Sequence, residues 1–133
     1  MPIRSNSRLA AGLVAAVTAA VLSTALTGCN QPTAAEQRAQ AVKLRSQGDF
    51  KGALIVLKNA LDAEPGSSQT RYRLAQTYLD LGDSTTAEKE ARQALDRGYA
   101  RGPALAVLAA ALVMEGQHKK ALDETAHAPD EPA

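Results

Sequence analysis

Cys29 is the only cysteine of the 133-residue chain, and its neighbours suggest chemistry at its thiol. It closes the run Leu26-Thr27-Gly28-Cys29, which ends an uncharged stretch that begins at Leu9. Arg4 and Arg8 precede that stretch. A positive start, an apolar middle and a small-residue exit are typical of a secretory signal peptide. A cysteine directly after such an exit suggests a lipid attachment point.

This run resembles the lipobox of bacterial lipoproteins. The resemblance implies that a signal peptidase cuts between Gly28 and Cys29, and that the new N-terminal cysteine carries acyl chains. We therefore expect residues 1–28 to be a lipoprotein signal peptide and residues 29–33 to be a lipidated cysteine with a short tether. Two or more chains are needed for stable anchoring. The alternative is a retained transmembrane helix, because about 19 uncharged residues can span a bilayer.

The residue after the cysteine indicates a destination. In Gram-negative lipoproteins an aspartate at that position retains the protein in the inner membrane, so Asn30 suggests the outer membrane. A helix is predicted only a few residues later, after Gln31-Pro32. Because the tether is so short, we expect the domain to lie against the periplasmic leaflet.

Charge and size restrict what the mature part can do. Removal of Arg4 and Arg8 lowers Lys+Arg from 15 to 13 against 14 acidic residues, so the formal charge changes from +1 to −1. A near-neutral domain gives no indication of nucleic-acid binding. A single cysteine supports no disulfide framework. About 105 residues follow Gly28, which is enough for one small domain.

Signals for catalysis or for a cofactor are weak. The sequence contains no glycine-rich phosphate loop and no His-Glu-x-x-His zinc motif. Two Glu-x-x-His pairs, Glu115 with His118 and Glu124 with His127, have the form of ligands in di-iron bundles. However, the first pair straddles Gly116 at a predicted turn, and the second lies near the C-terminus. We expect solvated side chains at both pairs, and therefore no metal, no cofactor and no enzyme.

The helices that would position these residues follow a repeat of 34 residues. Gly48, Gly82 and Gly116 are separated by 34 positions. The same spacing relates four further sets: Leu44, Tyr78 and Leu112; Ala53, Ala87 and Ala121; Ala60 and Ala94; Leu61 and Leu95. Each unit is predicted to be two helices joined at its glycine, because glycine adopts the left-handed conformation at a helix end with little strain.

Local signals mark the helix ends of the first unit. Thr33 before Ala34-Ala35-Glu36 has the form of a capping box, and the helix it opens is predicted to run to about Ser46. Asp49 can cap the next helix, whose apolar residues recur on one face. Pro65-Gly66 ends that helix.

These positions resemble the tetratricopeptide repeat. The resemblance implies an all-α helical-hairpin solenoid of about two and a half repeats. Its units would be residues 34–67, residues 68–101 and a partial third unit at residues 102–128, followed by a tail at residues 129–133. The residues that this pattern assigns to repeat packing are Ala53, Ala60, Ala87, Ala94 and Ala121. The chain departs from the pattern where Tyr99 replaces the proline of the second unit, and where its last helix is short.

The first helix of each unit lines the concave side of such a solenoid. By the family pattern, the residues facing that side are Arg38, Val42, Arg45, Tyr72, Gln76, Leu79, Ala106, Ala110 and Val113. The residues predicted to bind a partner are Arg38, Arg45, Tyr72 and Gln76. Guanidinium and amide groups can hold a peptide carboxylate or backbone. In the alternative interpretation, the arginines are ordinary exposed charges and Tyr72 covers apolar surface.

A finer resemblance lies between Leu54 and Tyr99. The strings that carry it are Leu57-Lys58-Asn59-Ala60-Leu61, Gly82-Asp83, Ala87-Glu88-Lys89-Glu90 and Leu95-Asp96-Arg97-Gly98-Tyr99. They are similar to the beginning of the tetratricopeptide-repeat lipoproteins of the PEP-CTERM/exosortase system. Members of that family occur with exopolysaccharide and protein-sorting genes and normally contain many more repeats. The resemblance implies a membrane-anchored scaffold that holds a protein partner in the periplasm.

Two further expectations concern partners. The third unit has no helix predicted after it, so the apolar side of its last helix, including Ala121 and Leu122, should be partly open. We expect self-association or docking of another protein at this end. The competing function is that of repeat lipoproteins which assist outer-membrane protein insertion or pilus secretin assembly.

Overall fold

The computed structural model of the chain describes residues 31–126. These residues form six α-helices and no strand: α1 (Ala34–Ser46), α2 (Phe50–Ala63), α3 (Ser68–Asp80), α4 (Ser84–Asp96), α5 (Arg101–Met114) and α6 (His118–Ala126). The predicted all-α fold is therefore confirmed. The predicted signal peptide, the predicted cleavage site between Gly28 and Cys29, Asn30, His127 and the predicted tail lie outside the described residues. Within residues 31–126, none of the helices combines the length and the apolar character that crossing a membrane requires.

The helices pack as three consecutive hairpins, α1 with α2, α3 with α4, and α5 with α6. Each hairpin also packs on the next, through contacts of α2 with α3 and of α4 with α5. The first helices adjoin one another, because α3 contacts both α1 and α5. This arrangement is the helical-hairpin solenoid that the 34-residue repeat predicts.

Side-chain caps fix where the helices begin. The Thr33 hydroxyl accepts a hydrogen bond from the backbone N–H of Glu36, whose carboxylate in turn accepts one from the backbone N–H of Thr33, so the predicted capping box is confirmed. Asp49 caps α2 and Asp83, 34 residues later, caps α4 in the same way. Each such cap stabilises its helix by about 1 kcal/mol.

Glycine ends the first helix of every hairpin. Gly48, Gly82 and Gly116 have φ values of 79°, 79° and 76°, which lie in the left-handed region. A side chain would be strained there, because its Cβ approaches the following carbonyl oxygen. The repeat of these three glycines is thus a backbone requirement that recurs at each turn.

The five alanines that the repeat pattern assigns to packing are buried. Ala53, Ala60, Ala87 and Ala94 have no exposed surface, and Ala121 is 5% exposed. Small side chains at a crossing permit the short end of the usual interaxial range of about 8–10 Å. Larger residues fill the space around them, with Leu57 in one apolar cluster and Leu108 and Leu112 in another.

The prediction that the apolar side of the last helix is partly open is confirmed at Leu122 and wrong at Ala121. Ala121 is buried in the cluster that α5 forms with α3 and α4, whereas Leu122 is 69% exposed. Consecutive residues of a helix point about 100° apart, since a turn contains about 3.6 residues. One of the two therefore faces α5 when the other faces solvent.

Candidate functional site

The candidate site is the surface on which α1, α3 and α5 lie side by side, called here the first-helix face. Its exposed and half-buried residues come from one side of each of these helices. The chemistry of this face changes from α1 towards α5.

Arg38 is held at the beginning of α3. Its guanidinium lies 2.8 Å from the Glu64 carboxylate and donates to the hydroxyl of Thr70 at 3.2 Å. Only 15% of the Arg38 side chain is exposed, while Glu64 is 51% exposed. Because that carboxylate is well solvated, the pair contributes little to stability, and an incoming carboxylate could replace Glu64 at the same guanidinium.

The other three predicted residues form one chain of hydrogen bonds. Arg45 pairs with Asp80 at 2.6 Å and donates to the side-chain amide oxygen of Gln76 at 3.1 Å. The Gln76 amide donates to the Tyr72 hydroxyl at 2.8 Å. The structure thus brings Arg45, Gln76 and Tyr72 together and leaves Arg38 separate from them. Each of these polar groups already has a partner within the chain, so a ligand must exchange with that partner.

Two residues at the site were not among those predicted to bind. Tyr99, from the connection before α5, stacks on Tyr72 with ring centroids 4.3 Å apart and planes 18° apart. The Arg73 guanidinium lies 5.6 Å from the centre of the Tyr72 ring and donates to Gln76 at 3.1 Å. Burial, and to a lesser degree the charge of Tyr72, raise the pKa of Tyr99, so its hydroxyl remains protonated at neutral pH.

The stacked pair explains a departure from the repeat pattern. Tyr99 occupies the position where the family pattern has proline, and its ring adds aromatic contact that a proline would not supply. The Tyr72 ring is also half buried against the α5 cluster. Tyr72 therefore covers apolar surface and presents its hydroxyl to Gln76 at the same time.

Two shallow cavities adjoin between α1 and α3. The first, of about 210 Å³, is lined by Ala35, Arg38, Ala39, Val42, Gln69 and Arg73. The second, of about 310 Å³, is lined by Val42, Arg45, Ser46, Phe50 and Asp80. Val42 lies between the two and is 43% exposed. Together the cavities offer arginine donors beside a small apolar patch, which suits a peptide with an acidic or carbonyl group next to an aliphatic side chain.

The α5 end of the first-helix face is different in character. Ala106 and Ala110 are exposed there, and Val113 is 48% exposed. None of these side chains can donate or accept a hydrogen bond. The surface therefore changes from arginine-rich at α1 and α3 to apolar at α5.

The Glu-x-x-His pairs do not assemble a site in the described part of the chain. Glu115 caps the end of α5 and His118 begins α6, so the turn that connects the two helices separates these residues. Glu124 is engaged in an ion pair with Arg92 at 2.9 Å. Among residues 31–126, no group of three His, Cys, Asp or Glu side chains lies close enough to hold a metal ion.

Comparison with known proteins identifies the repeat. A family model described as tetratricopeptide repeat matches residues 44–101, from the last turn of α1 to the first residue of α5. No curated protein matches the chain. Residues 44–101 are therefore similar to tetratricopeptide repeats, which generally mediate protein–protein interaction and typically belong to scaffolds rather than enzymes.

Proposed function

We propose that this chain is a lipid-anchored tetratricopeptide-repeat scaffold that holds a protein partner at the periplasmic side of the outer membrane. The anchor would be acyl chains on Cys29, exposed by cleavage after Gly28. The sequence around Cys29 supports this part of the proposal, and Asn30 supports the outer membrane as the destination. Arg38, Arg45, Tyr72 and Gln76 would hold the partner on the first-helix face.

The pair of cavities that share Val42 is the observation that carries the binding role. Both cavities lie beside α1 and α3, and they combine aliphatic surface with the guanidinium groups of Arg38 and Arg45. Peptides bind such surfaces through one or two side chains in pockets and through hydrogen bonds along the backbone. The partner would replace Glu64 and Asp80 as the acceptors of these arginines.

The resemblance of residues 54–99 to the lipoproteins of the PEP-CTERM/exosortase system supports a role in exopolysaccharide export or protein sorting. The alternative partners are outer-membrane proteins or pilus secretin subunits during their assembly. These pathways differ in the proteins that they would bring to the first-helix face.

Affinity capture from membranes tests the binding role. The full chain with a C-terminal tag is compared with Val42→Glu, which places a carboxylate between the two cavities, where it competes with the partner for the guanidinium groups of Arg38 and Arg45. Lys58→Glu, on the exposed side of α2, is the matched control. Wild type and Lys58→Glu should recover the same partner, while Val42→Glu loses it at least about tenfold. Exopolysaccharide or sorting components support the first pathway, and secretin subunits the second. A partner retained by Val42→Glu contradicts the proposed site.

Intact-mass measurement tests the anchor independently. The protein extracted from membranes should begin at Cys29 and carry the additional mass of two or more acyl chains. Cys29→Ser should remain unprocessed. An unmodified N-terminal Met1 in the wild-type protein would show that the proposed anchor is absent.

A further inference from the structure

Each repeat offers one surface to the repeat that follows it, and the 34-residue register permits three such surfaces to be compared. Ala41 and Ala75 occupy the same repeat position and are completely buried, the first in the cluster that contains Leu74 of α3 and the second in the cluster that contains Leu105 of α5. Their equivalent in the third repeat, Ala109, is only partly buried. Within the described residues no later helix covers it.

The residues around Ala109 form what we call the end face. Its members lie 34 positions after Tyr72, Ala75, Leu79, Glu88 and Ala91, and they are Ala106, Ala109, Val113, Leu122 and Thr125. Their equivalents in the second repeat are covered, since Tyr72 and Leu79 pack against the α5 cluster and Glu88 pairs with Lys120 of α6. The end face itself is open, with Val113 48% and Leu122 69% exposed.

The chemistry of the end face limits what can cover it. It contains no charged side chain, whereas the equivalent surface of the second repeat carries the Glu88–Lys120 and Arg92–Glu124 ion pairs. After Pro103, the eleven residues of α5 to Met114 are exclusively Ala, Leu, Val and Met. A helix that is apolar on all sides is typical of one that is buried on all sides. The covering element must therefore be an apolar, uncharged helix.

A second copy of the chain offers two surfaces that could cover the end face, the exposed side of its α1 and its own end face. The side of α1 that corresponds to the packed side of α3 carries Gln40 and Lys43 where α3 has Leu74 and Thr77, and both α1 residues are exposed. That polar surface does not match the end face, so a head-to-tail array of copies is disfavoured. The end face of a second copy does match, because an uncharged apolar surface is complementary to itself.

We propose that the end face binds the end face of a second copy of this chain, with the two α5 helices antiparallel about a two-fold axis. The alanines of α5 permit the helices to approach closely. The antiparallel arrangement opposes the two helix dipoles. This pairing does not depend on the lipid anchor. The end face shares Ala106 and Val113 with the α5 end of the first-helix face, but it contains neither Val42 nor the arginines of the two cavities.

Two differently tagged full-length copies, expressed together and extracted from membranes, provide the test. Capture through one tag should recover the other copy. Val113→Glu or Leu122→Glu in both copies should reduce that recovery at least about tenfold, because each pairing would bury unpaired carboxylates. Ile55→Glu, at a residue that is 63% exposed on α2, should leave it unchanged. Circular dichroism of each variant confirms that it is folded, and two separate variants guard against the misfolding of one.

The outcomes separate the possible occupants. Loss of pairing in both end-face variants, with Ile55→Glu and Val42→Glu retaining it, supports the proposal. Failure of the two tags to co-purify overturns it, and so does pairing that survives Val113→Glu and Leu122→Glu. A different protein that is recovered by wild type and by Val42→Glu but lost from Leu122→Glu shows that a heterologous helix occupies the face, which also overturns the proposal. Val42→Glu should impair only the capture described for the first-helix face, so the two proposals can fail separately.

Discussion

The guanidinium of Arg71 lies 2.8 Å from the carboxylate of Glu90, and the two side chains are only 14% and 12% exposed. This ion pair joins α3 to α4 inside the second hairpin. Removing one member of a buried pair leaves the other charge in a poorly solvated place. The pair therefore supports the hairpin only as long as both residues are present.

Glu90→Ala should lower the free energy of unfolding by about 3 kcal/mol, since it strands the Arg71 guanidinium. Glu64→Ala removes the carboxylate partner of Arg38 but should cost only about 0.5 kcal/mol, because Glu64 is 51% exposed. Urea denaturation of the two variants measures the difference. Equal losses in the free energy of unfolding would show that the burial of the Arg71–Glu90 pair does not determine the cost of breaking it.

Ala87→Leu should overpack a helix crossing. Ala87 has no exposed surface, so three additional heavy atoms must displace neighbouring helices, at a cost of about 1–3 kcal/mol. Ala63→Leu, at an exposed position at the end of α2, should change stability by less than about 0.5 kcal/mol. An unchanged melting temperature for Ala87→Leu would refute the repeat register.

Gly82→Ala should cost about 1–2 kcal/mol, because residue 82 has a φ of 79°. Gly66→Ala is the matched control. Gly66 also lies in a turn, but its φ is not in the left-handed region and a Cβ there meets no atom within 4 Å. That variant should be stabilised by about 0.4–1 kcal/mol, since alanine has fewer conformations in the unfolded chain. Thermal unfolding that ranks the two variants in the opposite order would contradict the turn geometry.

Glu88 should contribute to acid sensitivity. A hydrogen bond from Lys120, assisted by Arg92, lowers its pKa from the ordinary value of 4.5. A carboxyl whose pKa is lower in the folded state stabilises the protein above its unfolded pKa, and this stability is lost as the pH falls through its folded pKa. The stability difference between wild type and Glu88→Gln should therefore shrink as the pH falls below the ordinary glutamate pKa of 4.5. Lys120→Met should also reduce the pH dependence, and a difference that stays constant with pH would exclude this role.

The features that depend on local chemistry could be predicted from the sequence. The end of α1 at Ser46, the Thr33 capping box and the Asp49 cap all follow from residues within a few positions of one another. The buried alanines follow from the 34-residue period. These signals suffice for the fold because each hairpin repeats the same local rules.

The contacts of the candidate site could not be predicted in the same way. The stack of Tyr99 on Tyr72 and the pairing of Arg45 with Asp80 join residues of different helices, and the choice of partner depends on how the hairpins are oriented. The burial of Glu90 could not be predicted either, because nothing in the sequence around Glu90, which follows exposed Lys89, indicates that it faces Arg71. The repeat register does place Tyr72 and Arg45 on first helices, but it does not supply their partners.

The most direct test of the scaffold role is site-specific photo-crosslinking in intact cells. A photoreactive residue is placed at Val42, between the two cavities, or at exposed Lys58 on α2, in the full chain. Mass spectrometry then identifies the adducts. We predict that Val42 forms an adduct with one periplasmic protein other than the chain itself and that Lys58 does not. No adduct at Val42, or the same adducts at both positions, would contradict a partner held on the first-helix face.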